Sequence, residues 1–543
     1  MNVAAAIGGA LARSGVGTVF GVVGSGNFEV TNAMVAAGAR FVAARHEGGA
    51  ATMADAHARM TGAVTALSVH QGCGFTNALT GVTEAAKSRT PMVVVTGEAT
   101  SPRSNFFVDQ PALAAAVGAV PVRVTSPGDA VAQAVAAVAT ARDERRVVVL
   151  NLPLDVQGLP VPGAHVPLPA ARAAAAPDPA EVARLADALA RARRPVFVAG
   201  RGSRGPGARA ALELLADRCG ALLATSAVAR GLFRGTPWDL DVSGGFATPL
   251  AAELISGADL VVGWGCALNM WTTRHGRLIA DDAVVVQVDL EREALGRQRD
   301  LAFGVVGDVR AVAGAAAAAL PGEAAGYRTP EVRRALAERR RWRDEPFRDA
   351  GGAGQVDPRA LTIALDDLLP AERVVAVDSG NFMGYPSMFL DVPDEHGFCF
   401  TQAFQSVGLG LATAIGAALA RPDRLPVAAL GDGGALMGAA ELETVVRLGL
   451  PMVVVVYDDA AYGAEVHHFG PAGHPLDTVR FPEDDFAAIA RGHGFAALTV
   501  RDVADLAGVS DWLAGRRTRP LLIDAKVTRQ EPSWWLEEAF RGH

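Results

Sequence analysis

The stretch 425–463, LPVAALGDGGALMGAAELETVVRLGLPMVVVVYDDAAYG, constrains the fold more than any other part of the chain. An apolar run ends at Gly431-Asp432-Gly433-Gly434. Amphipathic helical residues follow, and a second apolar run, Met452 to Tyr457, ends at Asp458-Asp459. This is the pattern of a strand, a glycine turn, a helix and a strand. Parallel strands joined by a right-handed crossover bring Asp432 and Asp459, 27 residues apart, to the carboxyl edge of one sheet, where open α/β sheets bind ligands. Two carboxylates there suit Mg²⁺, a hard cation that completes its octahedron with waters and ligand phosphates. Gly431, Gly433 and Gly434 let backbone N–H groups approach a diphosphate, helped by the N-terminus of the following helix. The alternative is a plain tight turn with two solvated strand-end carboxylates, and only the rest of the chain can decide between them.

At 543 residues the chain exceeds one hydrophobic core. From Asn2 to about Leu168, the runs TVFGVV, RFVAAR, AVTALSVH, PMVVVTG, VPVRVTS and RRVVVLNLP alternate with helical stretches, which reads as an α/β domain with a parallel sheet. A Pro- and Ala-rich linker spans 154–179. A second alternating block covers 180–330, and an Arg/Glu-rich helical segment, Pro330 to Asp349, leads to a third, 355–543. The expected fold class is therefore α/β, with three consecutive doubly wound parallel-sheet domains. Gly200 to Gly205 spell GxGxxG before a helix from Ala208 to Arg218. The next strand ends at Thr225-Ser226 without the acidic residue a dinucleotide site needs, which weakens an NAD reading.

A net charge of -8 without a basic block argues against nucleic acid and against an anionic membrane surface as partners. Cys73, Cys219, Cys266 and Cys399 have neither disulfide-framework nor zinc-site spacing, so a reduced, cytoplasmic setting is expected. The start, MNVAAAIGGALARSG, reads as a helix rather than a signal peptide, and no run is long enough to span a bilayer.

Arg45-His46-Glu47-Gly48-Gly49-Ala50, then ADAHARMTG and HQGCGFTNALTG, precede the GDGG to DDAAYG unit in this order. Together they resemble the thiamine-diphosphate-dependent 2-oxo acid decarboxylase and carboligase family, which includes acetolactate synthases, benzoylformate and pyruvate decarboxylases and benzaldehyde lyase. The resemblance covers nearly the whole chain. It implies a pyrimidine-binding domain at 1–168, a central Rossmann-like domain at 180–330 and a diphosphate- and Mg²⁺-binding domain at 355–543. It implies thiamine diphosphate and Mg²⁺ as cofactors, with FAD possible in the central domain at GRGSRG and Asn269 to Gly276. It also implies a homo-oligomer, a dimer or a dimer of dimers, in which the first domain of one subunit faces the third domain of another.

The expected activity is carboligation of acetolactate synthase type: a 2-oxo acid is decarboxylated and the enamine adds to a second carbonyl, an aldehyde or another 2-oxo acid. Simple decarboxylation or aldehyde lyase chemistry is the second reading. A non-catalytic nucleotide- or flavin-binding protein with a decayed site is the reading from another class.

The family pattern carries over residue by residue. Asp432, Asp459 and the carbonyl of Ala461 match the metal ligands, although the family usually has Asn-Asn at Asp458-Asp459; an added carboxylate raises repulsion against a diphosphate. Glu47 matches the activating glutamate, which shares a proton with the pyrimidine ring; a residue in a helix first turn, favoured by the dipole, is its bland rival. In Gln405-Ser406-Val407-Gly408, the Gln405 carbonyl matches the pyrimidine acceptor and Val407 the wedge between the rings, with plain core packing as the rival role for Val407.

Ser379, Gly380, Gly431, Gly433, Gly434, Tyr462 and Gly463 are further cofactor-binding candidates. His70, Gln71, Gly26 and Asn77 are candidates facing the thiazolium or the substrate, with Ser25 and Asn27 in the same loop. His70 resembles the benzoylformate decarboxylase branch and can exchange protons near neutral pH. Gln110 could reach substrate or simply be loop polarity. His467 is expected at a helix start facing the site, with His468 turned away. Trp534 and Trp535 are expected as a helical cap or a lid.

Overall fold

The computed structural model describes residues 1–161, 166–173 and 175–539, so 162–165 and 174 of the expected linker and the last four residues lie outside it. Three six-stranded sheets follow one another along the chain, and every named strand pair is parallel. The α/β expectation of three parallel-sheet domains therefore holds.

The first sheet comprises β1 Thr18–Gly21, β2 Arg40–Ala43, β3 Thr65–Val69, β4 Met92–Glu98, β5 Val120–Arg123 and β6 Val147–Pro153, in the order 2-1-3-4-6-5. The second comprises β7 Pro195–Ala199, β8 Leu222–Thr225, β9 Asp239–Val242, β10 Leu260–Trp264, β11 Val284–Asp289 and β12 Phe303–Val306. Its order, 12-11-10-7-8-9, is the 3-2-1-4-5-6 arrangement of dinucleotide-binding folds. The third comprises β13 Arg373–Val377, β14 Phe398–Cys399, β15 Leu425–Gly431, β16 Val453–Asp458, β17 Ala496–Val500 and β18 Leu521–Lys526. Its order, 14-13-15-16-18-17, repeats that of the first sheet strand for strand.

Central strands such as β4, β6, β16 and β18 are buried at every residue, as β-branched runs covered by helices on both faces should be. The first and third domains share one core. The helix Glu47–Thr61 packs Ala50, Met53 and Ala54 against Leu411, Ala414 and Ile415 of the helix Gly410–Ala420. Gly416 makes this approach possible: a Cβ there would sit 2.3 Å from the Met53 carbonyl oxygen.

Three local expectations need correcting. The helical stretch after the glycine turn is two short helices, Asp432–Met437 and Glu441–Arg447. Gly438, which caps the first of them, is the stop signal inside this otherwise apolar run. The segment from Pro330 is helical only to Arg339, followed by a 3-10 turn at Trp342–Asp344. The helix beginning at Gly463 ends at Phe469, which places His467 and His468 in its last turn rather than at its start. No helix among the described residues is long and apolar enough to cross a membrane.

Candidate active site

Because β15 and β16 are neighbours, Gly431 pairs with Tyr457 at their carboxyl ends, and the loops that follow rise side by side. There they border a cavity of ≈ 360 Å³ lined by Ser379, Gly380, Gln405, Val407, Gly431 to Gly434, Asp459 and Ala461 to Gly463. Asp432 accepts a 3.0 Å hydrogen bond from the Ala461 amide. Burial, with the charge of Asp458 adding to it, pushes Asp432 up to about 6. Burial and the neighbouring Asp432 and Asp458 charges push Asp459 up to about 8. Two buried like charges with a backbone oxygen beside them are the donor set of a hard divalent cation. Among the described residues no group of three or more His, Cys, Asp or Glu side chains is placed to hold a metal, so waters and a ligand's oxygens would have to complete the shell.

The glycines are required by close packing. A Cβ on Gly433 would lie 2.7 Å from the Tyr462 ring, and one on Gly434 would lie 2.3 Å from Asp378 Oδ2. Asp378, which sequence reasoning missed, organises this corner. Fully buried at the end of β13, it accepts from the amides of Ser379, Gly408 and Leu409. Burial still pushes it up to about 6, against the pull of those amides. Asp378 thereby pins the Gln405–Gly408 segment over the glycine turn, with Val407 Cγ1 3.3 Å from where a Gly434 Cβ would be. Gly434→Ala is therefore expected to cost ~1–3 kcal/mol of overpacking, read as a lower unfolding midpoint of the third domain in urea.

Val407 is 38% exposed, which removes core packing as its role. Gln405 adopts φ +58°, the left-handed conformation that glycine adopts without strain and other residues rarely do. On the far wall, Trp535 donates from Nε1 to the Asn381 carbonyl at 2.9 Å and lines the cavity together with Leu536. Trp535 is thus part of the pocket wall, whereas Trp534 packs on Trp342 outside it.

The first-domain candidates do not line this cavity. Glu47 opens its helix after the N-cap His46, and its Oε2 accepts from Asn77 Nδ2 at 3.1 Å. His70 Nδ1 lies 2.9 Å from the Gln71 carbonyl, so Nδ1 carries the hydrogen of the neutral ring and Nε2 is left facing Ser25 Oγ at 3.4 Å. Gln71 is buried against Gly26. Asn27 is buried and bonded to Val22, Ser68 and the Gly24 amide, so it shapes its loop rather than facing a ligand.

Gln110 is neither a substrate group nor a solvated one. It is buried, with Oε1 accepting from the Gly72 amide and Nε2 donating to Gly97 O and Asn151 Oδ1, so its amide holds the loop after His70. His467 is half-buried, is lowered by burial and lies off the cavity lining.

Two further carboxylates that sequence reasoning missed tie the half-sites together within the chain. Glu441 Oε1 accepts from the Arg45 and His46 amides, immediately before Glu47. Glu84, held by Arg59, accepts from the Ala403 and Phe404 amides, immediately before Gln405. A second cavity, ≈ 260 Å³, opens where Gly200 and Arg201 of the central domain meet Asn269, Trp271 and Gln402. Gly200 and Gly202 pack on another loop: a Cβ on Gly200 would lie 2.3 Å from Gly265 O, and one on Gly202 2.8 Å from Gly265 Cα.

The fold and the cavity define an α/β protein with two topologically matching domains flanking a Rossmann-like one, and a glycine-turn, two-carboxylate site on the last. Sequence comparison gives the same division. Residues 1–112 match the thiamine pyrophosphate enzyme N-terminal TPP binding domain, 182–316 the central domain and 378–525 the C-terminal TPP binding domain. The chain belongs to the thiamine pyrophosphate enzyme family. It is 28% identical to the acetolactate synthase large subunit of Parasynechococcus marenigrum, over 97% of this chain and 88% of that one. It is 30% identical to a probable 2-ketoarginine decarboxylase of Pseudomonas aeruginosa, over 91% and 89%. It is 28% identical to a sulfoacetaldehyde acetyltransferase of Rhodobacter capsulatus, over 98% and 94%. The chain is thus a thiamine-diphosphate-dependent decarboxylase or carboligase, and a decayed, non-catalytic binding protein is not supported.

Proposed function

We propose that the chain is a carboligase of acetolactate synthase type, which decarboxylates a 2-oxo acid and joins the remainder to a second carbonyl compound. The observation that carries the reading is the cavity at the ends of β15 and β16, where Asp432 and Asp459 stand beside the glycine turn under Val407. When bound, thiamine diphosphate supplies the electron sink for decarboxylation. Asp432, Asp459 and the Ala461 carbonyl would hold Mg²⁺ against its diphosphate, with Ser379, Gly380, Gly431 and the amides of Gly433 and Gly434 around it. The Gln405 carbonyl would accept from the aminopyrimidine, and Val407 would separate the rings.

Glu47 holds and releases a proton at the pyrimidine nitrogen, steadied by Asn77. His70, through Nε2, moves a proton at the substrate carbon or oxygen. These first-domain groups complete the site from a second copy of the chain. The half-sites carry matching exposed apolar residues, Val23, Phe28, Phe106 and Phe107 on one and Val407, Leu436, Met437 and Tyr462 on the other, which a partner would cover. The central cavity beside Gly200 and Asn269 is the place FAD would occupy.

Synthase and acetyltransferase names among the relatives favour joining two substrates. The 2-ketoarginine decarboxylase favours the second reading, release of an aldehyde. Incubating the protein with thiamine diphosphate, Mg²⁺ and a panel of 2-oxo acids and aldehydes, with mass analysis of products, separates them. Coupled 2-hydroxy ketones or 2-hydroxy-2-alkyl oxo acids are expected, and exclusive release of aldehyde would favour the decarboxylase.

A further inference from the structure

The two carboxylates that stand where relatives usually carry Asn-Asn are not equivalent in this fold. Asp458, the last residue of β16, is in register with Lys526, the last of β18. Lys526 Nζ lies 2.5 Å from Asp458 Oδ2 and 2.9 Å from Asp524 Oδ1, and it also donates to the Asp484 carbonyl. All three charged side chains are buried, and Asp458 Oδ1 takes the Ala460 amide at 2.9 Å. The charge of Asp458 is thus partly offset inside the sheet by Lys526, which Asp458 shares with Asp524. Asp459, one residue on, lines the cavity with Asp432 and Ala461, whereas Asp458 does not. Once both carboxyls are ionised against a bound cation, Asp432 and Asp459 together offer it a formal charge of -2, where an Asp-Asn pair would offer -1.

We propose that this pair binds a divalent cation before the cofactor arrives, so that the site assembles metal first, while Lys526 holds the adjacent Asp458 inside the sheet and off the cavity. The proposal rests on reading the cavity as a thiamine diphosphate site. With one carboxylate, a hard cation depends on the ligand's phosphate oxygens for charge compensation; with two, the protein supplies it. The same pair repels a bare diphosphate, and a resident cation removes that repulsion.

The test uses the full-length protein stripped of metal and cofactor, titrated with Mn²⁺ while free Mn²⁺ is followed by electron paramagnetic resonance, with and without thiamine diphosphate. Wild type is expected to take up one Mn²⁺ per chain without thiamine diphosphate. Asp459→Asn, near-isosteric and checked for an unchanged melting profile, is expected to bind Mn²⁺ alone at least ~10-fold more weakly while still taking it up with thiamine diphosphate present. Uptake by wild type only when thiamine diphosphate is added would overturn the proposal, as would equal Mn²⁺ affinity of the two proteins in its absence. Failure of both proteins to bind Mn²⁺ and thiamine diphosphate together would instead remove the reading of the cavity on which the proposal stands.

Discussion

Glu47→Gln is expected to lower turnover by about 10³-fold, within the range a positioned acid–base group contributes. The carboxyl is prepared for one task. Its helix starts at Glu47, the two preceding amides are fixed by Glu441, and Asn77 donates to Oε2. A glutamine keeps the shape and can still accept from Asn77, so the fold and its melting temperature should be unchanged. It cannot give up or take back a proton at a pyrimidine nitrogen, and that is the step lost. Steady-state rates with the best substrate of the panel, beside a thermal melt, give the result; turnover at the wild-type rate would remove this role from Glu47.

Asp432→Ala is expected to weaken thiamine diphosphate binding in the presence of Mg²⁺ by ~100-fold or more, since loss of a metal ligand should exceed the 10–100-fold typical for its supporting partners. The sign of the stability change is opposite. Burial holds both carboxyls well above their ordinary range when no cation is bound, and the Asp432 charge adds to the rise of Asp459. Removing one should leave the metal-free protein as stable as before or more so, at the cost of one 3.0 Å bond from the Ala461 amide. A calorimetric titration and a metal-free melt read the two effects together. Unchanged cofactor affinity would place the metal elsewhere.

The parts of the fold that depend on local pattern were legible in the sequence. Runs such as VVVV at 453–456 could only be buried strands, and a crossover between two of them had to bring Asp432 and Asp459 to one edge. Short edge strands such as β9, β12 and the two-residue β14 left no comparable trace, because so few residues give no periodicity. What depends on pairs distant in sequence was invisible. Gln110 looked like a loop residue until Asn151, 41 positions on, was seen to hold it. The Lys526–Asp458 pair appears only once β16 and β18 are known to be neighbours. Asp378 stood directly before two named candidates, Ser379 and Gly380. Its role nonetheless needed the Gly408 and Leu409 amides to be brought to it.

The central claim, that Glu47 of one copy serves the Asp432 cavity of another, is tested most directly by mixing two inactive proteins. Glu47→Gln and Asp432→Ala chains are unfolded together, refolded with thiamine diphosphate and Mg²⁺, and assayed against each protein treated alone. In a two-fold dimer with shared sites, each mixed dimer contains one intact site and one doubly altered site, so about a quarter of wild-type activity should return. No recovery, with mixed dimers shown to be present, would mean that both groups act within a single chain, and would contradict the account.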